Sequence, residues 1–224
     1  MSESIVCRKV EDIDPLMWDD FLSNRACAGY FQTRACYDVY QQTRGLTAFV
    51  YAISQDGKLQ ALVCGYIAVE GGRLKQFFSR RAIVPGVLLI RNDAPESAIA
   101  ELLQTLKTEL NRKAIYIEIR NFGDYNWYKS LFKGSGFSYM PHLDIRLSTI
   151  DKQAVYNGLS TTKKRQIKQS EKRGVSWKIA DSEEELNAFY RILSDLYLQK
   201  IKLPLFDISF FQAFLKGDSG MLLV

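Results

Sequence analysis

The sequence predicts a mixed α/β fold, in which a mainly antiparallel sheet is flanked by helices and followed by the start of a second, similar unit. Its composition, 224 residues of which 47% are hydrophobic and 25% charged, suits a globular chain with a sizeable core. Two β-rich runs at 46–54 and 58–70 are joined by a Gln-Asp-Gly turn, which indicates a hairpin. Residues 95–113 carry apolar side chains at helical spacing and lead into a strand at 114–121.

The elements before the hairpin are a strand and two helices. The strand covers 5–10, and Pro15 opens the first helix, because proline is well tolerated at the first helical position. Thr33 is the expected N-cap of the second helix, and Gly45 ends it. After the hairpin, the pair Gly71-Gly72 turns the chain into a third strand, so that the three strands form an antiparallel meander.

The helix and strand that follow have clear faces. The helix at 95–113 presents its apolar residues on one side, and the strand at 114–121 alternates between isoleucines and polar residues. A short helix at 125–137, ended by Gly134 or Gly136, leads to a last strand at 142–148. The predicted order over 4–148 is β-α-α-β-β-β-α-β-α-β.

The opening succession then recurs. After a basic helical segment come a strand at 175–181, a helix with a Ser182–Glu185 capping box, a second helix at 207–217 and the start of a strand. We expect a first domain at 1–150, a basic helical linker at 151–174 and a partial second domain at 175–224. Because that unit stops at its second strand, we expect the natural chain to be longer and to complete it.

This order, together with the "LFKGSGF" helix-to-strand turn, resembles the GNAT acyltransferase fold. Two such units joined by a basic helix resemble the FemAB family, whose members transfer amino acids from aminoacyl-tRNA onto peptidoglycan precursors. The same superfamily includes envelope-associated acyltransferases. The likeness is carried by "YFQTRACYDVY" (30–40), "AIYIEIRNFGDY" (114–125), "HLDIRLSTID" (142–151) and "TTKKRQIKQSEKRGVSWKIA" (161–180).

The resemblance has three departures. Where the family often has an aromatic residue after its glutamine, this chain has Cys36. Where the peptidoglycan-modifying members have a lysine and an arginine, this chain has Tyr40 and Asp207. The segment 200–211 is instead similar to the looser acyltransferase-like branch of the family.

Charged residues on the fourth and fifth predicted strands are the candidates for an acceptor cleft. In this fold the corresponding strands splay apart, and the resemblance places Arg80, Arg81, Glu118 and Arg120 beside the opening. An ion pair on a solvated face, either between Glu118 and Arg120 or across strands, is the alternative reading. The segment "RAIVPG" (81–86) replaces the family's inner glycine with Val84 and removes an N–H at Pro85, which makes a poor pyrophosphate cradle. No general base can be named from these residues.

The segment "KKRQIKQSEKR" (163–173) carries six cations and one carboxylate, a surplus equal to the formal net charge of +5 of the whole chain. It predicts a helix of about three turns, capped by Ser160 or Thr161 and followed by Gly174. Cations in the first turn oppose the helix dipole, so an anionic partner explains them better than helix stability does. A solvated linker helix is the alternative. The candidate binding residues here are Lys163, Lys164, Arg165 and Lys168.

Several classes of protein are excluded or disfavoured. One histidine, His142, and four scattered cysteines disfavour a metal site, and we expect buried, reduced thiols. The sequence has no apolar run long enough for a membrane helix and no secretory signal, so a cytoplasmic location is expected. No DNA-binding pattern accompanies the basic segment.

We therefore expect an acyl- or aminoacyltransferase that forms an amide on an amino group of a cell-envelope precursor, from either peptidoglycan or polysaccharide. The resemblance implies acyl-CoA or aminoacyl-tRNA as the donor, bound outside these 224 residues, so that no bound cofactor and no activity are expected of them alone. The implied partners are a phosphorylated or lipid-linked precursor, tRNA, or the inner membrane surface. The alternative is a non-catalytic module that binds RNA or an anionic surface.

Overall fold

The computed structural model describes residues 4–69, 79–145, 147–217 and 220–224. Its strands are β1 Ser4–Cys7, β2 Leu46–Gln55, β3 Lys58–Ala68, β4 Arg81–Val84, β5 Leu89–Ile90 and β6 Tyr116–Ile119. Its longer helices are α1 Pro15–Ser23, α2 Arg34–Gln42, α3 Glu96–Asn111, α4 Lys129–Gly134, α5 Lys152–Gly158, α6 Thr161–Lys172, α7 Glu183–Leu196 and α8 Ile208–Lys216. Short 3-10 turns occupy Val10–Asp12, Tyr30–Gln32 and Asn126–Tyr128, and a π-helical turn at Tyr197–Ile201 continues α7.

One sheet organises the first 120 residues. Its strands lie in the order β1-β2-β3-β4-β6, and β5 also pairs with β3. All pairs are antiparallel except β4 with β6, which α3 connects as a crossover between parallel strands. The sheet confirms the predicted mixed, mainly antiparallel α/β fold.

The hairpin between β2 and β3 forms as its turn residues predict. Asp56 and Gly57 both have positive φ, at 52° and 69°, which is the backbone of a two-residue hairpin turn that matches the twist of the strands. The predicted turn at 71–72 lies outside the described residues. The third strand of the meander is confirmed from Arg81 onward, antiparallel to β3.

Helices cover both faces of the sheet. Helix α3 packs against one face, and its apolar residues at 99, 102, 103, 106 and 110 are fully buried, as predicted. Helices α1 and α2 cover the other face, where Trp18 is fully buried among side chains of β2 and β3. Thr33 accepts a hydrogen bond from the Cys36 N–H at 3.1 Å, which confirms it as the N-cap of α2.

Several local predictions were wrong, and the reasons are physical. The described residues of 142–148 form no strand, since no neighbouring strand pairs with them, and Leu143, Ile145 and Leu147 are exposed. The predicted strand at 175–181 is reduced to a bridge between Ile179 and Leu223. Cys27 is exposed, whereas the other three thiols are buried; all four cysteines are free.

The C-terminal region packs back onto the first domain. Ser182 caps α7, but the Glu185 carboxylate bonds to the Asp181 N–H rather than completing the predicted capping box at Ser182. Phe206 and Phe210 pack into a cluster with Tyr40 and Tyr66 of the first domain. The Ser209 hydroxyl accepts a hydrogen bond of 2.9 Å from the Arg44 N–H. The boundaries of the expected domains stay a prediction.

Candidate functional site

The candidate acceptor site is the face of β4 and β6 that α8 borders. The register pairs Arg81 with Tyr116 and Ile83 with Glu118, so alternation puts Arg81, Glu118 and Arg120 on one face. Arg80 lies on the opposite face by the same alternation, and its carbonyl accepts a hydrogen bond from Ile115. The structure thus brings three of the four predicted residues together and separates the fourth.

An ion pair is the main polar feature of this face. The Arg120 Nε donates to the Glu118 Oε1 at 2.7 Å, and this hydrogen bond raises the pKa of the Arg120 guanidinium. Both side chains remain about half exposed, at 51% and 41%, so the pair contributes little to stability. The pair that sequence analysis gave as the alternative is therefore present, and it leaves both groups accessible to a ligand.

Tyr66 adds a phenol beside these charges, and sequence analysis missed it. It lies opposite Ile83 in the antiparallel ladder, on the same face as Glu118. Burial raises the pKa of the Tyr66 phenol, and the nearby positive charges of Arg120 and Arg81 oppose that rise. Only the strand alternation in "CGYIA" could have signalled it, because nothing local to Tyr66 marks it as polar-facing.

The face ends where β4 leaves β6. The Arg120 N–H still donates to the Val84 carbonyl at 3.0 Å, and the chain then turns away at Pro85-Gly86. The Asn121 side chain accepts from the Leu88 N–H at 3.2 Å, and so fills part of the gap. The predicted splaying of the strands therefore begins only after Val84, and polar side chains close much of it.

A buried glutamine holds this turn in place. The Gln32 amide accepts from the Gly29 N–H at 2.9 Å and donates to the Val87 carbonyl at 3.3 Å. The Trp18 indole donates to the Gln32 carbonyl at 2.8 Å. A side chain at position 86 would collide with the Gln32 amide. Glycine, which has no Cβ, allows the backbone to come this close. Gln32 belongs to the family-like stretch 30–40, but the sequence did not show its positioning role.

Aromatic rings from distant parts of the chain form two groups. Phe31 and Phe122 meet at the open end of the face, with ring centroids 6.2 Å apart, and each is about 40% exposed. Phe206 packs edge-on against Tyr66 at 5.6 Å. Phe206 therefore adjoins Tyr66, the phenol beside Arg120 and Arg81, whereas Phe31 and Phe122 form a separate ring pair.

Tyr40 and Asp207 stand where the family's peptidoglycan-modifying members have a lysine and an arginine. Both lie at the junction of α2 and α8. Tyr40 is buried, and its ring stacks on Phe210 with centroids 6.5 Å apart. Asp207 caps α8 by accepting from the Ser209 N–H at 3.0 Å. Partial burial opposes ionisation of Asp207, but the hydrogen bonds from Ser209 and the charge of Arg44 outweigh it and lower the pKa. An aromatic ring and a carboxylate cannot bind a diphosphate as two cations would.

The first domain does not fit a CoA pyrophosphate. The segment 81–86 leads into β5 rather than into a helix, so it offers no helix N-terminus. Helix α3 begins only at Glu96, whose carboxylate lies in the first turn, and its N-cap is Pro95, which has no N–H. Asp93 stands just before it, paired with Arg91 at 2.6 Å. These residues disfavour an anion at this helix.

The predicted basic helix forms as α6. Ser160 caps it by accepting from the Lys163 N–H at 3.3 Å, and Gly174 follows with φ of 74°. Lys164 donates to the Asn157 carbonyl at 3.0 Å. Within the described residues, no carboxylate forms an ion pair with the cations of this helix, which are Lys163, Lys164, Arg165, Lys168 and Lys172, or with the adjacent Arg173.

The described part of the chain shows neither a metal centre nor a membrane span. No group of three or more His, Cys, Asp or Glu residues is arranged there to hold a metal ion. His142 is exposed, in a segment without regular structure. The described helices include none with the length and apolar character that crossing a bilayer requires.

Comparison with known proteins gives fold-level likeness. No family model matches the sequence, and no curated protein is similar enough to count as a relative. Among solved structures, FemX is 16% identical and has a TM-score of 0.59 over 99% of this chain. The chain spans 57% of the FemX chain.

Smaller acetyltransferases are also similar over part of the chain. A ribosomal-protein-alanine N-acetyltransferase from Brucella melitensis biovar Abortus is 14% identical, with a TM-score of 0.42, and the match covers 65% of this chain and 100% of that one. A predicted acetyltransferase from Clostridium acetobutylicum, solved with acetyl-CoA, is 11% identical, with a TM-score of 0.42 over 64% of this chain and 96% of its own. The FemX comparison, with its TM-score of 0.59, shows that the fold of this chain is similar to that of FemX.

Proposed function

We propose that this protein is an acyl- or aminoacyltransferase that forms an amide on an amino group of a cell-envelope precursor, from peptidoglycan or polysaccharide. The observation that carries the proposal is the FemX-like fold, which extends over 99% of the chain and positions an accessible ion pair beside Tyr66. The precursor and the donor are both part of the proposal.

The Glu118–Arg120 pair is proposed to orient the acceptor. A carboxylate accepts hydrogen bonds from an ammonium or hydroxyl group, and the guanidinium donates to a carboxylate or carbonyl of the acceptor. The acceptor amine then attacks the activated carbonyl of an ester or thioester donor. The amide C–N bond forms as the C–O or C–S bond breaks, and the proton lost by the amine leaves with the tRNA hydroxyl or the CoA thiol. Catalysis would come mainly from positioning and from stabilisation of the developing oxyanion, because no described side chain here stands out as a general base.

The donor, acyl-CoA or aminoacyl-tRNA, is proposed to bind outside the first domain. The poor fit of Pro95 and Glu96 to a pyrophosphate supports this placement. Tyr40 and Asp207 supply no cation at the junction of α2 and α8. A diphosphate group on the acceptor would therefore have to bind elsewhere. Lipid-linked and saccharide acceptors both remain compatible with these residues.

A transfer assay tests the proposal. The protein in its natural length is incubated with labelled acetyl-CoA or alanyl-tRNA and with amine-bearing acceptors, namely a nucleotide-linked precursor, a lipid-linked precursor and an amino sugar. Glu118→Gln should lower kcat/KM for the acceptor about tenfold or more, because a charge-assisted hydrogen bond is lost. Asp93→Asn removes a similar exposed ion pair away from this face and should leave transfer unchanged.

Two results would contradict the proposal. One is that none of the donor and acceptor pairs supports transfer by the folded protein. The other is that Glu118→Gln and Asp93→Asn change kcat/KM equally. Both carboxylates are exposed, so neither replacement should lower the melting temperature measurably, and a shared loss of stability cannot account for a difference between them.

A binding role without catalysis is the second candidate function. It is favoured by one observation, the unpaired cations of α6. RNA and anionic surfaces are the partner classes that such a helix attracts. The same transfer assay separates this role from the first, since a binding module supports no turnover with any donor.

A further inference from the structure

Helix α6 has one strongly cationic side. Lys164, Arg165, Lys168 and Lys172 border one groove, together with Tyr156 of α5. The Lys164 ammonium lies 5.4 Å from the centre of the Tyr156 ring, and the other three side chains are exposed. Because the described carboxylates leave these cations unpaired, their charges add to a positive potential along the helix.

An apolar patch borders this cationic side. Ile167 lies three residues after Lys164, so these two side chains are neighbours on the helix surface. Ile167 also borders a second groove with Val175 and Trp177, and Lys163 and the Glu171 carboxylate line the same groove. Ile167, Val175 and Trp177 are 39%, 65% and 73% exposed. Adjoining apolar side chains with this exposure mark a contact surface more often than an ordinary solvated one.

The cationic side chains and the apolar patch together favour a lipid surface over an RNA backbone as the partner. Phosphates of RNA would satisfy the cations, but Ile167 and Val175 offer an RNA strand neither stacking nor hydrogen bonds. A bilayer interface accommodates both, because lysine and arginine reach the headgroups while aliphatic side chains and tryptophan enter the acyl boundary. Ile150, which is 97% exposed directly before α5, adds a further aliphatic side chain near the start of this helical pair.

We propose that α6 and the following segment 175–177 form a membrane-docking surface for anionic lipid. Lys164, Arg165, Lys168 and Lys172 contact acidic headgroups, and Trp177 with Ile167 and Val175 enters the interface. Binding is reversible and peripheral, because it combines a short cationic stripe with a small apolar area. This surface acts independently of amide transfer, and the failure of either proposal leaves the other standing.

Vesicle sedimentation tests the proposal. The protein in its natural length is mixed with vesicles of phosphatidylcholine alone, or with 30% phosphatidylglycerol, at 50 and 300 mM NaCl. Binding should require the anionic lipid and weaken at the higher salt. Arg165→Glu/Lys168→Glu should lower the affinity about 25-fold or more, since each cation near an anionic surface is worth about fivefold.

A matched variant and a spectroscopic signal complete the test. Arg112→Glu/Lys113→Glu makes the same change in net charge at the exposed end of α3 and should leave binding unchanged. Brominated phosphatidylglycerol should quench the tryptophan fluorescence, and Trp177→Phe should remove that quenching. Trp18 is buried, and Trp127→Phe, at the exposed tryptophan of the first domain, should leave the quenching in place.

Three outcomes would overturn the proposal. The first is no binding to anionic vesicles at 50 mM NaCl. The second is equal loss of binding in the two charge-reversed variants, which would make it a response to net charge. The third is tight binding of a single-stranded RNA that depends on Arg165 and Lys168, without quenching by brominated lipid, which would assign the cationic side to nucleic acid.

Discussion

Gln32 shows how one side chain can position a whole turn. Its amide joins the 3-10 turn before α2 to the chain that leaves β4, and its backbone carbonyl accepts the Trp18 indole. A buried amide with both ends hydrogen-bonded is costly to replace, because each partner would be left unsatisfied. Gln32 therefore supports the site without contacting the Glu118–Arg120 pair in any hydrogen bond that the structure records.

The four thiols should differ in reactivity. Cys27 is exposed, whereas burial raises the pKa of Cys36 to about 11, so its thiolate is scarce at neutral pH. At pH 8, a disulfide reagent should modify one cysteine rapidly and the buried three only as the protein unfolds. Cys27→Ser should remove the rapid phase. A rapid phase of two or more thiols would contradict this assignment.

The same shift has a consequence for stability against pH. The pKa of Cys36 is higher in the folded state than in the unfolded chain, so the folded state binds more protons between about pH 9 and pH 11. Stability is therefore unaffected below pH 9 and decreases as pH rises through this window. Urea unfolding at pH 8 and pH 10.5 should show the decrease, and Cys36→Ala should reduce the difference between the two values.

At the level of elements, a predicted helix or strand formed where another part of the fold packs against it or pairs with it. The helix at 95–113 was predicted correctly because its apolar spacing coincides with its contact to the sheet. The segment 142–148 has the alternation of a strand, but a strand also needs a neighbour to receive its hydrogen bonds. A sequence alone does not show whether that neighbour is present, so alternation misled the prediction there.

Replacing the aromatic ring of Phe210 tests how α8 is held against α2. Phe210→Ala removes contacts with Tyr40, Phe206 and Phe211, and should lower the free energy of unfolding by about 2 to 3 kcal/mol. Trypsin should then cleave faster after Lys200 and Lys202. Leu203→Ala, at a side chain 66% exposed in the same segment, should change stability by less than about 0.5 kcal/mol. Equal effects of the two replacements would show that α8 is not held by this cluster.

Across the whole molecule, burial is concentrated in the first domain. The described residues after 150 contribute only Ala180, Leu186 and Ala213 to the buried apolar residues, and α6 contributes none. Local stability follows buried contacts, so the molecule should open in parts rather than all at once.

Hydrogen exchange should reveal this gradient. Amides of β2, β3 and α3 should exchange only through global unfolding, whereas those of α5 and α6 should exchange about a thousandfold faster or more. Mass spectrometry of deuterated peptides measures the difference directly. Protection of α6 equal to that of β3, in the protein alone, would contradict it by revealing a tertiary contact that shields the helix.

The same distribution explains how far the sequence predicts the fold and the site. The mixed sheet, its hairpin and the caps at Thr33 and Ser160 follow from local patterns, and so does the basic helix. The grouping of Tyr66 with Glu118 and Arg120 does not, because it depends on the pairing of three strands from distant parts of the sequence. Arg80 was misplaced for a related reason: one residue of register moves a side chain to the other face.

The bond between Arg44 and Ser209 has a consequence during synthesis. The two residues are 165 positions apart, so at roughly 5 to 20 residues per second a nascent chain waits on the order of 8 to 33 seconds between them. Throughout that interval the side of α2 that carries Tyr40 has emerged from the ribosome. The residues of α8 that pack on it have not yet been translated. The aromatic side chains of this junction are therefore exposed until α8 is made. We expect a chaperone that binds the nascent chain to act mainly at this stage of translation.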